Sequence, residues 1–199
     1  MPPITLGQPA PSFSLPSGQG PTVSLDEYRG RSHVILWITK GMGCPFCRSQ
    51  MSQLALGYPR FKALGAEVLQ VTPSPPARAA FYAQHFRVPF IYLCDPDYRV
   101  HRQWGVQVRS HSLSWYAKAL VAASRMSMPT SDLGDPRLSL GDVKTNLHDT
   151  DMGFFLIDRA GLVRYALSGT YMGSEILPRE IPSSEEIVRE IERASSYPE

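Results

Sequence analysis

Cys44 and Cys47 stand one helical turn apart in the run Lys40-Gly41-Met42-Gly43-Cys44-Pro45-Phe46-Cys47. Two thiols at this spacing suit sulfur redox chemistry. One thiolate attacks a disulfide sulfur or a peroxide oxygen, giving a mixed disulfide or a sulfenic acid. The second thiol, tethered beside it, closes a disulfide and releases the product in an intramolecular step. An apolar run, Val34-Ile35-Leu36-Trp37-Ile38, precedes the pair and a helix-like run follows it. Gly41, Gly43 and Pro45 mark the turn between them. A helix start offers unpaired N–H groups and a partial positive charge, and both stabilise a thiolate. Cys44 is therefore expected to be the more acidic thiol and the attacking one, with Cys47 resolving. Trp37 lies on the strand below and is a cover for the pair or a plain core residue.

Other readings of the pair stay open. As half of a zinc site it lacks partners, since zinc takes four ligands and no second CxxC or CxxH exists. Two inert buried thiols would fit a core better than a Gly-rich turn. A domain that keeps its cysteines but only binds partners is a third reading. Cys94 ends the apolar stretch Phe90-Ile91-Tyr92-Leu93 and reads as a small buried hydrophobe. The histidines at 33, 85, 101, 111 and 148 show no ligand spacing and read as surface or structural. No metal site and no cofactor is expected. Asp158 belongs to a turn.

The elements that must hold the pair can be read in order. Short strands are expected at Ser12–Leu15 and Thr22–Ser24, and a helical turn at Leu25–Arg29. Val34–Ile38, Glu67–Thr72 and Phe90–Leu93 have the apolar, β-branched character of buried strands in a sheet covered on both faces. The helix after Cys44 carries Phe46, Met51, Leu54, Phe61 and Leu64, and Pro59 should kink or split it. Ala77–Phe86 fits a second helix with Phe81 and Phe86 as core anchors. Tyr98–Trp104 fits a third, stopped by Gly105. Phe154–Ile157 and Leu162–Leu167 flank the turn Asp158-Arg159-Ala160-Gly161 and read as a hairpin. Ser183 and Glu186 form a capping box before a helix with Ile187 and Ile191 on one stripe. The stretch 106–151 is read as an insertion opening with a helix at Ser114–Met126. Alternating strands and helices give an α/β class, one domain over 1–199.

Composition narrows the setting. The chain has 199 residues, 43% hydrophobic, with 20 basic against 18 acidic side chains. No basic stripe marks a nucleic-acid surface. No stretch approaches the roughly 20 apolar residues of a membrane span. Three cysteines do not make a secreted disulfide framework. The start, Met1-Pro2-Pro3-Ile4-Thr5, is not a secretory signal, so a cytoplasmic location is expected.

Several segments resemble a known family in content and order. They are Gly7-Gln8-Pro9-Ala10-Pro11-Ser12-Phe13-Ser14-Leu15, Val23 to Gly30, Gly65 to Val71, Asp95-Pro96-Asp97 through Trp104-Gly105-Val106, and Phe154 to Gly161. Together they are similar to the alkyl-hydroperoxide-reductase/thiol-specific-antioxidant group, and within it to the peroxiredoxin-like branch with a CPxC centre. The resemblance implies a thioredoxin-like fold: a central mixed sheet flanked by helices, here with an N-terminal extension and a helical insertion. It implies a disulfide or hydroperoxide substrate, an external thiol reductant such as a thioredoxin-like protein or a small thiol, and allows a homodimer. The chain departs from the peroxiredoxin pattern Pro-x-x-x-Thr-x-x-Cys. Trp37 stands in the proline's place, Gly41 in the threonine's, and Met152 near that of the family arginine. Lys40 or Arg48 is left to supply positive charge. These departures favour thiol–disulfide exchange, with a thiol-dependent peroxidase and a redox-sensing or binding module as alternatives.

Overall fold

The computed structural model describes residues 4–41, 44–86, 88–109, 114, 149–169 and 181–197. Three strands run parallel: β3 (His33–Ile38), β4 (Ala66–Thr72) and β5 (Ile91–Cys94). Two more, β8 (Met152–Ile157) and β9 (Val163–Gly169), join antiparallel, giving the order β5-β4-β3-β8-β9. A mixed sheet of this kind needs cover on both faces, and β3, β4 and β8 are buried along their whole lengths.

Strand alternation sends side chains into two separate cores. Ile35, Trp37, Val68, Tyr92, Phe154 and Leu156 face α1 (Pro45–Ala63), α2 (Pro76–His85) and α4 (Ser184–Ser195). Val34, Leu36, Ile38, Leu69, Val71, Leu93 and Phe155 face the N-terminal hairpin β1 (Ser14–Pro16) and β2 (Thr22–Ser24), and α3 (Arg99–Gln103). This is the α/β, thioredoxin-like architecture with a mixed sheet flanked by helices.

Element positions follow the sequence reading, with instructive exceptions. β1 begins two residues later than expected, at Ser14, and the turn after β2 is a 3-10 helix over Leu25–Tyr28. Pro59 does not split α1, which runs through it for 19 residues. Proline removes the bond to the carbonyl four residues back and crowds it, but Pro59 faces solvent near the helix end, and Met51, Leu54 and Phe61 anchor the buried side across it. Phe81 is not a core anchor. It is 39% exposed and stacks on His85 with Arg78 above it, while Ala79 and Tyr82 fill the buried side of α2. Phe86 packs half-buried against the core. At the ends of the 106–151 stretch, β6 (Val108–Arg109) and β7 (Asp149–Thr150) pair antiparallel. The helix expected at Ser114–Met126 lies almost wholly outside the described residues. No helix among the described residues is long and apolar enough to cross a membrane.

Candidate active site

The cysteines sit where β3 ends and α1 begins. After Ile38, Thr39 still pairs with β4, its N–H donating to the Val71 carbonyl at 3.0 Å. The chain then turns. Gly41 takes φ +86°, and its carbonyl accepts the Cys44 N–H at 3.1 Å. The glycine is required twice over. Positive φ strains other residues, and a Cβ here would stand 2.5 Å from the Tyr92 hydroxyl and 3.0 Å from Thr72 Cβ. Cys44 is the N-cap of α1 in extended conformation and Pro45 opens the helix, where its missing N–H costs nothing. Gly43 lies outside the described residues.

The first turn of α1 packs directly on the sheet. Cys44, Cys47, Trp37, Met51, Cys94 and Met152 belong to one buried cluster. Both cysteines are buried, Cys47 at 0% exposure and Cys44 at 9%. All three cysteines are reduced. Trp37 is wholly buried, and its indole N–H has no hydrogen-bond partner among the described residues. Its register neighbour on β4, Gln70, is equally buried, and its amide is likewise without a partner among them. Such groups are costly unless a water or a bound molecule supplies the missing bonds.

The thiols behave as a pair. The Thr39 hydroxyl donates to Cys47 Sγ at 3.2 Å within the core. Cys44 shares its proton with Cys47, and this hydrogen bond, burial and the Cys47 charge together hold the Cys44 pKa well above the ordinary thiol value. Lys40 and the Cys47 backbone N–H pull it down, but by less. The sequence reading expected the helix N-terminus to make Cys44 the more acidic thiol; the Cys47 hydrogen bond and burial act against that field. Lys40, half-buried, is the cation that acts on Cys44. Arg48 is buried one turn into α1, its backbone N–H donating to the Cys44 carbonyl at 3.0 Å. Burial alone lifts Cys94 to about 11.

Sequence reasoning missed Thr39. Its only signal is a polar, β-branched residue directly after the apolar run, and nothing local says that its hydroxyl reaches a sulfur eight residues on. It also passed over Tyr92 and Thr72, which fix the space under Gly41 and are distant in the chain. Among the described residues, no three His, Cys, Asp or Glu side chains converge to hold a metal ion.

This geometry has relatives. The chain is 31% identical over 103 residues to chloroplastic peroxiredoxin Q of Populus jackii, covering 52% of this chain and 48% of that one. It is 33% identical over 106 residues to the peroxiredoxin bcp of Haemophilus influenzae, covering 53% and 68%. The chain spans about half the length of the chloroplastic relatives it matches. Peroxidoxin BcpB from Mycobacterium tuberculosis shares the fold with a TM-score of 0.63 at 18% identity, over 96% of this chain and 97% of that one. Residues 6–166, from the N-terminal extension through the cysteine turn and most of β9, match the family model, and the chain belongs to the AhpC/TSA family.

Proposed function

We propose that the protein is a thiol-dependent peroxidase of peroxiredoxin type, with Cys44 peroxidatic and Cys47 resolving. The observation that carries this is two buried, hydrogen-bonded cysteines at a helix start, of which Cys44 keeps 9% of its surface exposed and Cys47 none. Only Cys44 is placed to meet a substrate. When the shared proton passes to Cys47, Cys44 becomes the thiolate. It attacks a peroxide oxygen, the O–O bond breaks, and the alkoxide leaves and takes up a proton as Cys44 becomes a sulfenic acid. The Cys47 sulfur then attacks Cys44, the S–S bond forms and water leaves. An external thiol reductant, thioredoxin-like or small, reduces the disulfide and is itself oxidised. A reducing cytoplasmic setting suits this cycle, and a homodimer is compatible with it.

Thiol–disulfide exchange is the second reading. It is favoured by Met152, an apolar, wholly buried side chain near the place of the family arginine. Stopped-flow mixing of reduced protein with hydrogen peroxide separates the two. We expect one peroxide consumed per chain, two thiols lost, and no reaction in Cys44→Ser. Cys47→Ser should accumulate a sulfenic acid trappable by dimedone. A rate no faster than that of a free thiol, with rapid reduction of insulin disulfides, would give the site to exchange instead.

A further inference from the structure

Tyr92 stands in one row with Trp37 and Gln70 across β3, β4 and β5, and all three are wholly buried. Its ring packs beside Tyr82 of α2, with centroids 6.3 Å apart. A phenylalanine would fill that space equally well, and a buried hydroxyl is costly unless it is bonded. The hydroxyl is therefore explained by what it touches. It lies 3.2 Å from Ser74 Oγ. It also lies against Gly41: a Cβ on that residue would stand 2.5 Å away.

Both ends of the tyrosine are fixed by neighbours. Its N–H donates to Gln19 Oε1 at 3.2 Å and its carbonyl accepts the Gly18 N–H at 2.7 Å, so the loop between β1 and β2 holds β5 in place. At the other end Ser74 is buried, and its N–H donates to Thr72 Oγ1 at 3.3 Å. The Thr72 hydroxyl in turn donates to the Leu93 carbonyl at 3.3 Å. Gly41 rests on this assembly through Tyr92 Oη and the Thr72 side chain. Its own carbonyl accepts the N–H of Cys44, the residue that caps α1. The tyrosine hydroxyl thus reaches the thiol pair through one residue and one hydrogen bond.

We propose, on the reading of Cys44 as the attacking and Cys47 as the resolving sulfur, that Tyr92 is a positioning residue for the thiol pair. Its hydroxyl, held by Ser74, props Gly41 and so fixes Cys44 within reach of Cys47 for the disulfide-closing step. In that step the Cys47 thiolate attacks the sulfur of modified Cys44. The S–S bond forms, and the group on Cys44 leaves with the electron pair of its bond to sulfur. An intramolecular step of this kind draws its rate from fixed geometry, and a misplacement of about 1 Å costs up to a hundredfold. Attack on an external reagent meets no such constraint.

Dithiobis(2-nitrobenzoate) separates the two steps in the full chain, used in a Cys94→Ala background. Attack by Cys44 breaks the reagent's S–S bond, releases one thionitrobenzoate and leaves a mixed disulfide. Closing by Cys47 breaks that disulfide and releases the second, and stopped-flow absorbance reads both. Tyr92→Phe should slow the second release about tenfold and change the first by less than about twofold. Ser74→Ala should do the same, and the double variant should close no more slowly than either, since both act through one contact. The proposal is overturned by a second release at the parent's rate in folded Tyr92→Phe, by equal slowing of both releases, or by effects of the two variants that multiply. Should Tyr92→Phe fail to fold, Ser74→Ala, which leaves the ring in place, decides by the same ratio. A slowed second release in a chain that hydrogen peroxide does not oxidise keeps this proposal and removes the peroxidase reading. A chain that peroxide oxidises, and whose Tyr92→Phe variant closes normally, does the reverse.

Discussion

The Thr39 hydroxyl donates to one of two sulfurs that local sequence treats alike. A hydroxyl hydrogen bond to sulfur in a buried site favours the thiolate it touches and holds the other thiol protonated. Thr39→Val keeps the volume and removes the donor. We expect the apparent pKa of the first ionisation of the pair to rise by up to about one unit, the equivalent of a hydrogen bond of about 1 kcal/mol. The pH profile of iodoacetamide alkylation measures this, and an unmoved midpoint would remove Thr39 from the site. The pair itself was legible from Cys44-Pro45-Phe46-Cys47, because spacing and a turn are local properties. Its charge distribution was not, because it depends on a residue from the preceding strand and on burial.

At the scale of elements, the β3–α1 turn and the capped start of α4 carry the sharpest expectations. Gly41→Ala combines positive φ with a Cβ 2.5 Å from the Tyr92 hydroxyl, so the turn must move or Tyr92 must leave its contact with Ser74. We expect a loss of roughly 2–4 kcal/mol in denaturant unfolding, and slower thiol oxidation because Cys44 is displaced. A variant as stable and as reactive as wild type would contradict the packing described. In α4 the Ser183 hydroxyl accepts the Glu186 N–H, and Glu186 reaches back to the Ser183 N–H. Ser183→Ala should cost about 1 kcal/mol, seen as a fall of roughly 2–4 °C in Tm. The capping box was readable because it is a local pattern. Phe81 was misread because the 3.6-residue period admits more than one face of a short helix, and the choice of buried face belongs to β5 and the neighbouring core.

The molecule as a whole holds protons that its unfolded chain would release in alkali. Cys94 is raised from 9.0 to about 11 by burial, and Tyr28 from 10.0 to about 12 by burial, reinforced by Glu67 and Glu27. Between the unfolded and folded values the native state binds more protons, so stability falls as pH rises. The reduced protein should keep a constant urea midpoint between about pH 7.5 and 8.5 and lose stability between about pH 9 and 11. Cys94→Ala should flatten part of that slope, by about 2 kcal/mol at most. A midpoint steady to pH 11 would exclude this account. Sequence by itself determined the order of strands and helices, the spacing of the cysteine pair, the caps and the family frame, because each is written in runs of a few residues. Tertiary structure alone decided that both sulfurs are buried, which of them Thr39 reaches, which face of α2 is buried and that His33 meets Ser195. Those depend on burial and on partners from distant strands and helices, which a linear pattern does not contain.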